Sequence, residues 1–99
     1  MSAVVILLSP SDNVVVCCRA VVAGEVIAME DREIIAASDV PLGHKLALTA
    51  LRKGEKVLKH GMPVGSMTAD AAPGDWIHIH NMKSDYMPAH LRDAQGDRA

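Results

Sequence analysis

The sequence predicts a mostly β domain of short strands and tight turns, with little helix. Three observations lead to this. First, one phrase recurs four times: Val22-Ala23-Gly24-Glu25-Val26, Pro41-Leu42-Gly43-His44-Lys45, Arg52-Lys53-Gly54-Glu55-Lys56-Val57 and Ala72-Pro73-Gly74-Asp75-Trp76-Ile77. Each copy has a turn glycine, then a polar or charged residue, then an extended apolar stretch. Second, the apolar runs are short and rich in β-branched residues, which are stiff in a helix and fit a pleated surface. Third, Gly43 and Gly54 lie too close together for a stable helix between them, so Ala47 to Arg52 reads as a strand and a turn. The four glycines are spaced by 19, 11 and 20 residues. That is a repeated supersecondary phrase and not a solenoid, whose period would be constant.

Taken in order, Val4 to Leu8 is a continuous apolar run closed by the turn cluster Ser9-Pro10-Ser11-Asp12-Asn13. Val14 to Cys18 follows, and both runs suit buried strands. Gly24 marks a turn before an extended stretch from Glu25 to Met29. Glu30-Asp31-Arg32-Glu33 is a charged, solvated loop ahead of Ile34 to Ala37. Lys56 to His60 and Val64 to Thr68 flank Gly61-Met62-Pro63, a turn between two strands. After Asn81 the composition becomes polar. The expected organisation is a compact domain over residues 1–83 and a polar tail over 84–99, flexible or docked on a partner.

Composition narrows the function classes. The 99 residues are 49% apolar, with no Phe, one Trp and one Tyr, so Val, Ile, Leu, Ala and Met must build the core. The six Met residues read as gap-fillers. Ten basic and twelve acidic side chains are intermixed for a net charge of −2, which excludes the basic stripe of a nucleic-acid binder. No segment approaches the length of a membrane-spanning helix. Cys17 and Cys18 are adjacent, so on a strand they face opposite sides and form no ordinary disulfide. The apolar start lacks the preceding positive charge of a secretory signal. A soluble, cytoplasmic protein is expected.

The candidate chemistry is carried by histidines. On a strand, His78 and His80 would project from one face about 6.5 to 7 Å apart, with Ile77 and Ile79 packing inward. Two such imidazoles can converge on a divalent metal or on a substrate carboxylate, or simply form a solvated strand face. His44-Lys45 after a turn glycine pairs a proton-exchanging ring with a point charge, which suits an anionic ligand or a plain surface turn. Asn81 adds a donor and an acceptor. His60 and His90 are given no role. No nucleophile–base pair and no phosphate loop is visible, so the chain alone lacks the parts of a complete enzyme.

Asp12-Asn13-Val14, Gly24-Glu25, Gly43-His44-Lys45, Lys53-Gly54-Glu55 and Gly74-Asp75-Trp76-Ile77-His78-x-His80-Asn81 together resemble a known module. It is the SAF-type domain of the altronate/galactarate dehydratase family, which also occurs as a separate small subunit. The resemblance covers roughly residues 12 to 83. It implies a β-clip fold and association with a large catalytic subunit that dehydrates sugar acids using a divalent metal, typically iron, held mainly by that subunit. A sulfolactate sulfo-lyase small subunit is built on the same module. Carried over by position, His78, His80 and His44 are catalytic candidates, Lys45 and Asn81 substrate-binding candidates, and His78 and His80 candidate metal ligands. His60 stands where the family often has Tyr. The chain's end at Ala99 favours a stand-alone small subunit. SAF-like modules that bind carbohydrate or serve assembly without catalysis are the competing class, and self-association is left open.

Overall fold

The computed structural model describes residues 4–85. Among them are nine strands and no helix: β1 (Val5–Ile6), β2 (Val14–Cys17), β3 (Val26–Ala28), β4 (Glu33–Ile35), β5 (Lys45–Ala47), β6 (Lys56–Lys59), β7 (Met62–Met67), β8 (Trp76–Ile77) and β9 (Met82–Lys83). The mostly β expectation holds. A four-stranded sheet runs β1-β2-β5-β8, β3 pairs with β4, and a third sheet runs β6-β7-β9, with every pairing antiparallel.

The central sheet is covered on both faces. Val15, Cys17 and Leu46 belong to one buried cluster with Val21, Ile27, Ile34, Ala36 and Val40. Val14, Ala47 and Ile77 belong to another with Leu51, Val57, Met67 and Ala71. Successive residues of β2 and β5 therefore feed opposite cores, as strand alternation requires. This is why Val14 to Cys17 reads as an unbroken apolar run. Each fully buried Leu or Ile contributes about 1.5–3 kcal/mol of transfer free energy.

The four glycine phrases build this double core as two similar halves. In each phrase the residue after glycine donates its N–H to the carbonyl three residues back: Glu25 to Val22, His44 to Pro41, Glu55 to Arg52 and Asp75 to Ala72. The glycines have φ of 85°, 85°, 89° and 92°, as position three of a type II turn demands. Phrases pair up beside the isolated bridges Val21–Val40 and Leu51–Ala71. Asp39 accepts the Ala23 N–H in the first half, and Asp70 accepts the Lys53 N–H in the second. The glycine spacing of 19, 11 and 20 is the mark of this duplication.

Two local expectations change. The run Val4 to Leu8 is not buried throughout: Val5 is, whereas Ile6, Leu7 and Leu8 are exposed. β1 is two residues long at the sheet edge with one neighbour, so little covers it. The β6–β7 turn falls on His60-Gly61, with Met62 and Pro63 already in β7. Both turn residues have positive φ, 58° and 76°, the pattern of a tight type I′ hairpin. The buried Asp12 carboxylate holds it, accepting the N–H of His60 at 2.7 Å and of Gly61 at 2.8 Å. Asn13 accepts from Leu58 N and donates to Lys56 O where the strand register shifts.

Asp85, two residues past β9, is tied to β6 and β7. Asp85 accepts from Ser66 Oγ at 2.7 Å and pairs with Lys56 Nζ at 2.7 Å, which together hold its carboxyl below the usual range. The rest of the expected tail, with His90, lies outside the described residues. No helix of the described residues is long and apolar enough to cross a membrane.

Candidate functional site

The site forms where β5 and β8 run past each other. Lys45 pairs with Ile77 and Leu46 with Trp76. Extending that antiparallel register by one residue sets His44 opposite His78 and puts Trp76 diagonal to His44. The rings meet accordingly. His44 and His78 have centroids 4.4 Å apart, and Trp76 lies 5.6 Å from His44 and 5.7 Å from His78, stacked on the latter at 10°. His80 reaches the same indole, at 5.0 Å. Three of the five histidines thus gather on the one tryptophan. Trp76 was not singled out from the sequence; its position opposite Leu46, 30 residues away, depends on strand pairing.

His78 and His80 come together differently from the expected strand face. β8 ends at Ile77, and residues 79–81 form a turn. Ile79 is 82% exposed instead of packing inward, because it sits on the turn and no longer alternates with Ile77. Asn81 makes this turn. Its Oδ1 accepts the His78 N–H at 2.9 Å, its Nδ2 donates to Trp76 O at 2.9 Å, and its own N–H donates to His78 O at 3.1 Å. The side chain is buried, so its amide serves the backbone that carries the histidines.

His44 owes its freedom to a missing donor. In the other three phrases the residue after glycine is a carboxylate that accepts the first residue's N–H: Glu25 from Val22, Glu55 from Arg52 and Asp75 from Ala72. The second phrase begins with Pro41, which has no N–H to satisfy. Its fourth residue can be a histidine whose ring turns elsewhere, and Trp76 Nε1–H donates to His44 Nδ1 at 3.1 Å.

Electrostatics follow from the residue types. Burial first, then the neighbouring His44, Lys45 and His80, holds the His78 imidazole below the ordinary histidine value. Lys45 alternates to the other face of β5, and burial, then Lys59, lowers its ammonium from the usual lysine value. Beyond His80 lies a cleft of about 400 Å³ that includes Asp70, Asp75, Trp76 and Asn81. One oxygen of each aspartate already accepts a backbone N–H.

Among the described residues, no three His, Cys, Asp or Glu side chains are placed to hold a metal ion. His44 Nδ1 is already engaged by the indole, so the imidazoles do not make a metal shell by themselves. As arranged, the cluster can donate to an anion and exchange protons with it.

The chain is similar to the altronate/galactarate dehydratase SAF domain family. That family's model matches residues 3–85, and the chain belongs to the family. It is 36% identical over 74 residues to the altronate dehydratase of Escherichia coli, covering 75% of this chain and 15% of that protein. It is 31% identical over 80 residues to the altronate dehydratase of Bacillus subtilis, covering 81% of this chain and 16% of that protein. It is 43% identical over 54 residues to the (2R)-sulfolactate sulfo-lyase subunit alpha of Paracoccus pantotrophus, covering 54% of this chain and 81% of that subunit. The chain therefore spans about one-sixth of the length of the altronate dehydratases it matches.

Proposed function

We propose that this chain is the small, non-autonomous component of a sugar-acid dehydratase of the altronate/galactarate type, working in the cytoplasm against a large catalytic partner. The observation that carries the reading is the gathering of His44, His78 and His80 on Trp76 at the ends of β5 and β8, in a chain of this family. Dehydrating a 2,3-dihydroxy acid removes a proton next to the carboxylate and expels the β-hydroxyl. Groups are needed to hold the acid and to move protons. His44 binds the carboxylate end in this reading, and Lys45, whose charge is felt at His78 from the other face of β5, adds positive potential for the acid. His78, kept neutral near pH 7 by its lowered proton affinity, exchanges a proton with the substrate, and His80 serves the leaving oxygen. Asn81 holds the turn that carries both. The divalent metal belongs to the partner, where it would supply Lewis-acid polarisation of the carboxylate and the leaving group.

The match over 81% of a sulfolactate sulfo-lyase subunit favours a second reading in which sulfite leaves instead of water. A carbohydrate-binding role is less well supported, because the rings of His44, His78 and His80 already surround the one tryptophan. The test is to capture the tagged chain with its partner from native extract, then assay the complex on a panel of sugar acids and on sulfolactate. A large dehydratase-like chain, with water eliminated only by the assembled pair, is the expected result. Sulfite release would select the second reading. His78→Ala and His80→Ala should each lower turnover by about 10²–10⁴-fold while the chain stays folded. Full activity in both would remove them from the mechanism.

A further inference from the structure

We propose that Trp76 is a positioning residue that fixes His44 as a hydrogen-bond donor toward the ligand. The indole N–H can only donate. Since it points at His44 Nδ1 from 3.1 Å, Nδ1 is the accepting nitrogen. In the neutral ring the proton then sits on Nε2, and His44 meets a ligand through an N–H.

Both partners are fixed on their backbones. Trp76 is paired with Leu46 across the sheet, and its carbonyl accepts from Asn81 Nδ2. The His44 N–H donates to Pro41 O, and its carbonyl accepts from Cys17 N at 2.9 Å. The backbones that carry the two rings are thus held at neighbouring positions of the central sheet, and the indole–imidazole hydrogen bond sets how the rings face each other. The ring is available because Pro41 removes the donor that the equivalent carboxylates serve in the other phrases.

This inference rests on the reading above that the cluster holds an anion. A carboxylate has only acceptors, so a ring locked with Nε2–H presents the right polarity before the ligand arrives. Pre-set polarity saves the cost of reorienting the group on binding. It also divides the cluster, with His44 binding the acid and His78 and His80 left to move protons.

The test reads the tautomer directly. Histidine-ring ¹⁵N spectra of the full 99-residue chain should show His44 with an unprotonated Nδ1 and a protonated Nε2. In Trp76→Phe, which keeps an aromatic ring but loses the N–H, the two tautomers should mix and Nδ1 should move toward an averaged position. In the assembled enzyme the same variant should raise KM roughly three- to tenfold, the value of one hydrogen bond, with kcat little changed. A protonated Nδ1 in the unsubstituted chain, or a Nδ1 unmoved in Trp76→Phe, overturns the proposal. Should Trp76→Phe fail to fold, the spectrum of the unsubstituted chain decides alone. Because the tautomer is read without substrate, an inactive complex would count against the functional reading and not against this one.

Discussion

Replacing Asn81 with Ala separates its work in the turn from any direct work on a ligand. The substitution removes two hydrogen bonds of 2.9 Å, from the His78 N–H and to the Trp76 carbonyl. A neutral hydrogen bond contributes about 1 kcal/mol net, and a buried partner left unsatisfied adds to the loss. The side chain is buried, so the total should be about 2–3 kcal/mol. For a domain of this size that lowers Tm by about 10–20 °C, and calorimetry of the isolated chain measures it. Asn81→Asp should be no milder. It keeps the acceptor for His78 N–H but sets an oxygen 2.9 Å from the Trp76 carbonyl where the amide nitrogen had donated. If Asn81→Ala melts within about 2 °C of the parent and loses only ligand affinity, the turn is not held by this amide and the reasoning fails.

Other outcomes follow from single contacts. Asp12→Ala leaves the N–H groups of His60 and Gly61 without their carboxylate and should cost about 2–4 kcal/mol, read from the urea midpoint. Gly74→Ala should prevent folding, because a Cβ there would lie 2.0 Å from the Ile35 carbonyl oxygen at φ +92°. Gly24→Ala, with open space around it, should lose only about 1–2 kcal/mol for its positive φ. For His78 the folded ring binds its proton less readily than the unfolded one. The stability it contributes is therefore present above the ordinary histidine value of about 6.5 and is lost as pH falls through the lower folded value. Unfolding midpoints from about pH 8 to about pH 5 should show this slope, and His78→Gln should flatten it.

The parts of the fold visible in the sequence are those set by backbone geometry within a few residues. Gly24, Gly43, Gly54 and Gly74 all take positive φ at the turns expected of them. The unbroken apolar run of β2 is a strand buried on both faces. The histidines of the last phrase were also visible, but not their geometry. His78-Ile79-His80 alternates like a strand, and the Asn81 amide reaching back to Trp76 and His78, with the Asn81 and Met82 N–H groups donating to His78 O, bends it into a turn. The pairing of His44 with Trp76 and of Asp12 with His60 joins residues 32 and 48 apart. Such contacts depend on sheet register, which no local pattern encodes. The alternating glycine spacing was readable as numbers, yet its meaning as a duplication appears only once the Val21–Val40 and Leu51–Ala71 bridges are seen.

The proline that opens the second phrase has a consequence for protein engineering. The phrase behaves as a socket with one exchangeable position, occupied by a latch in the first, third and fourth copies and by an imidazole ring in the second. Proline leaves no N–H for a latch to hold, so installing it together with the ring exchanges the latch without freeing a backbone donor. Arg52→Pro combined with Glu55→His would reproduce that exchange in the other half of the molecule. The single change Glu55→His would leave the Arg52 N–H bare.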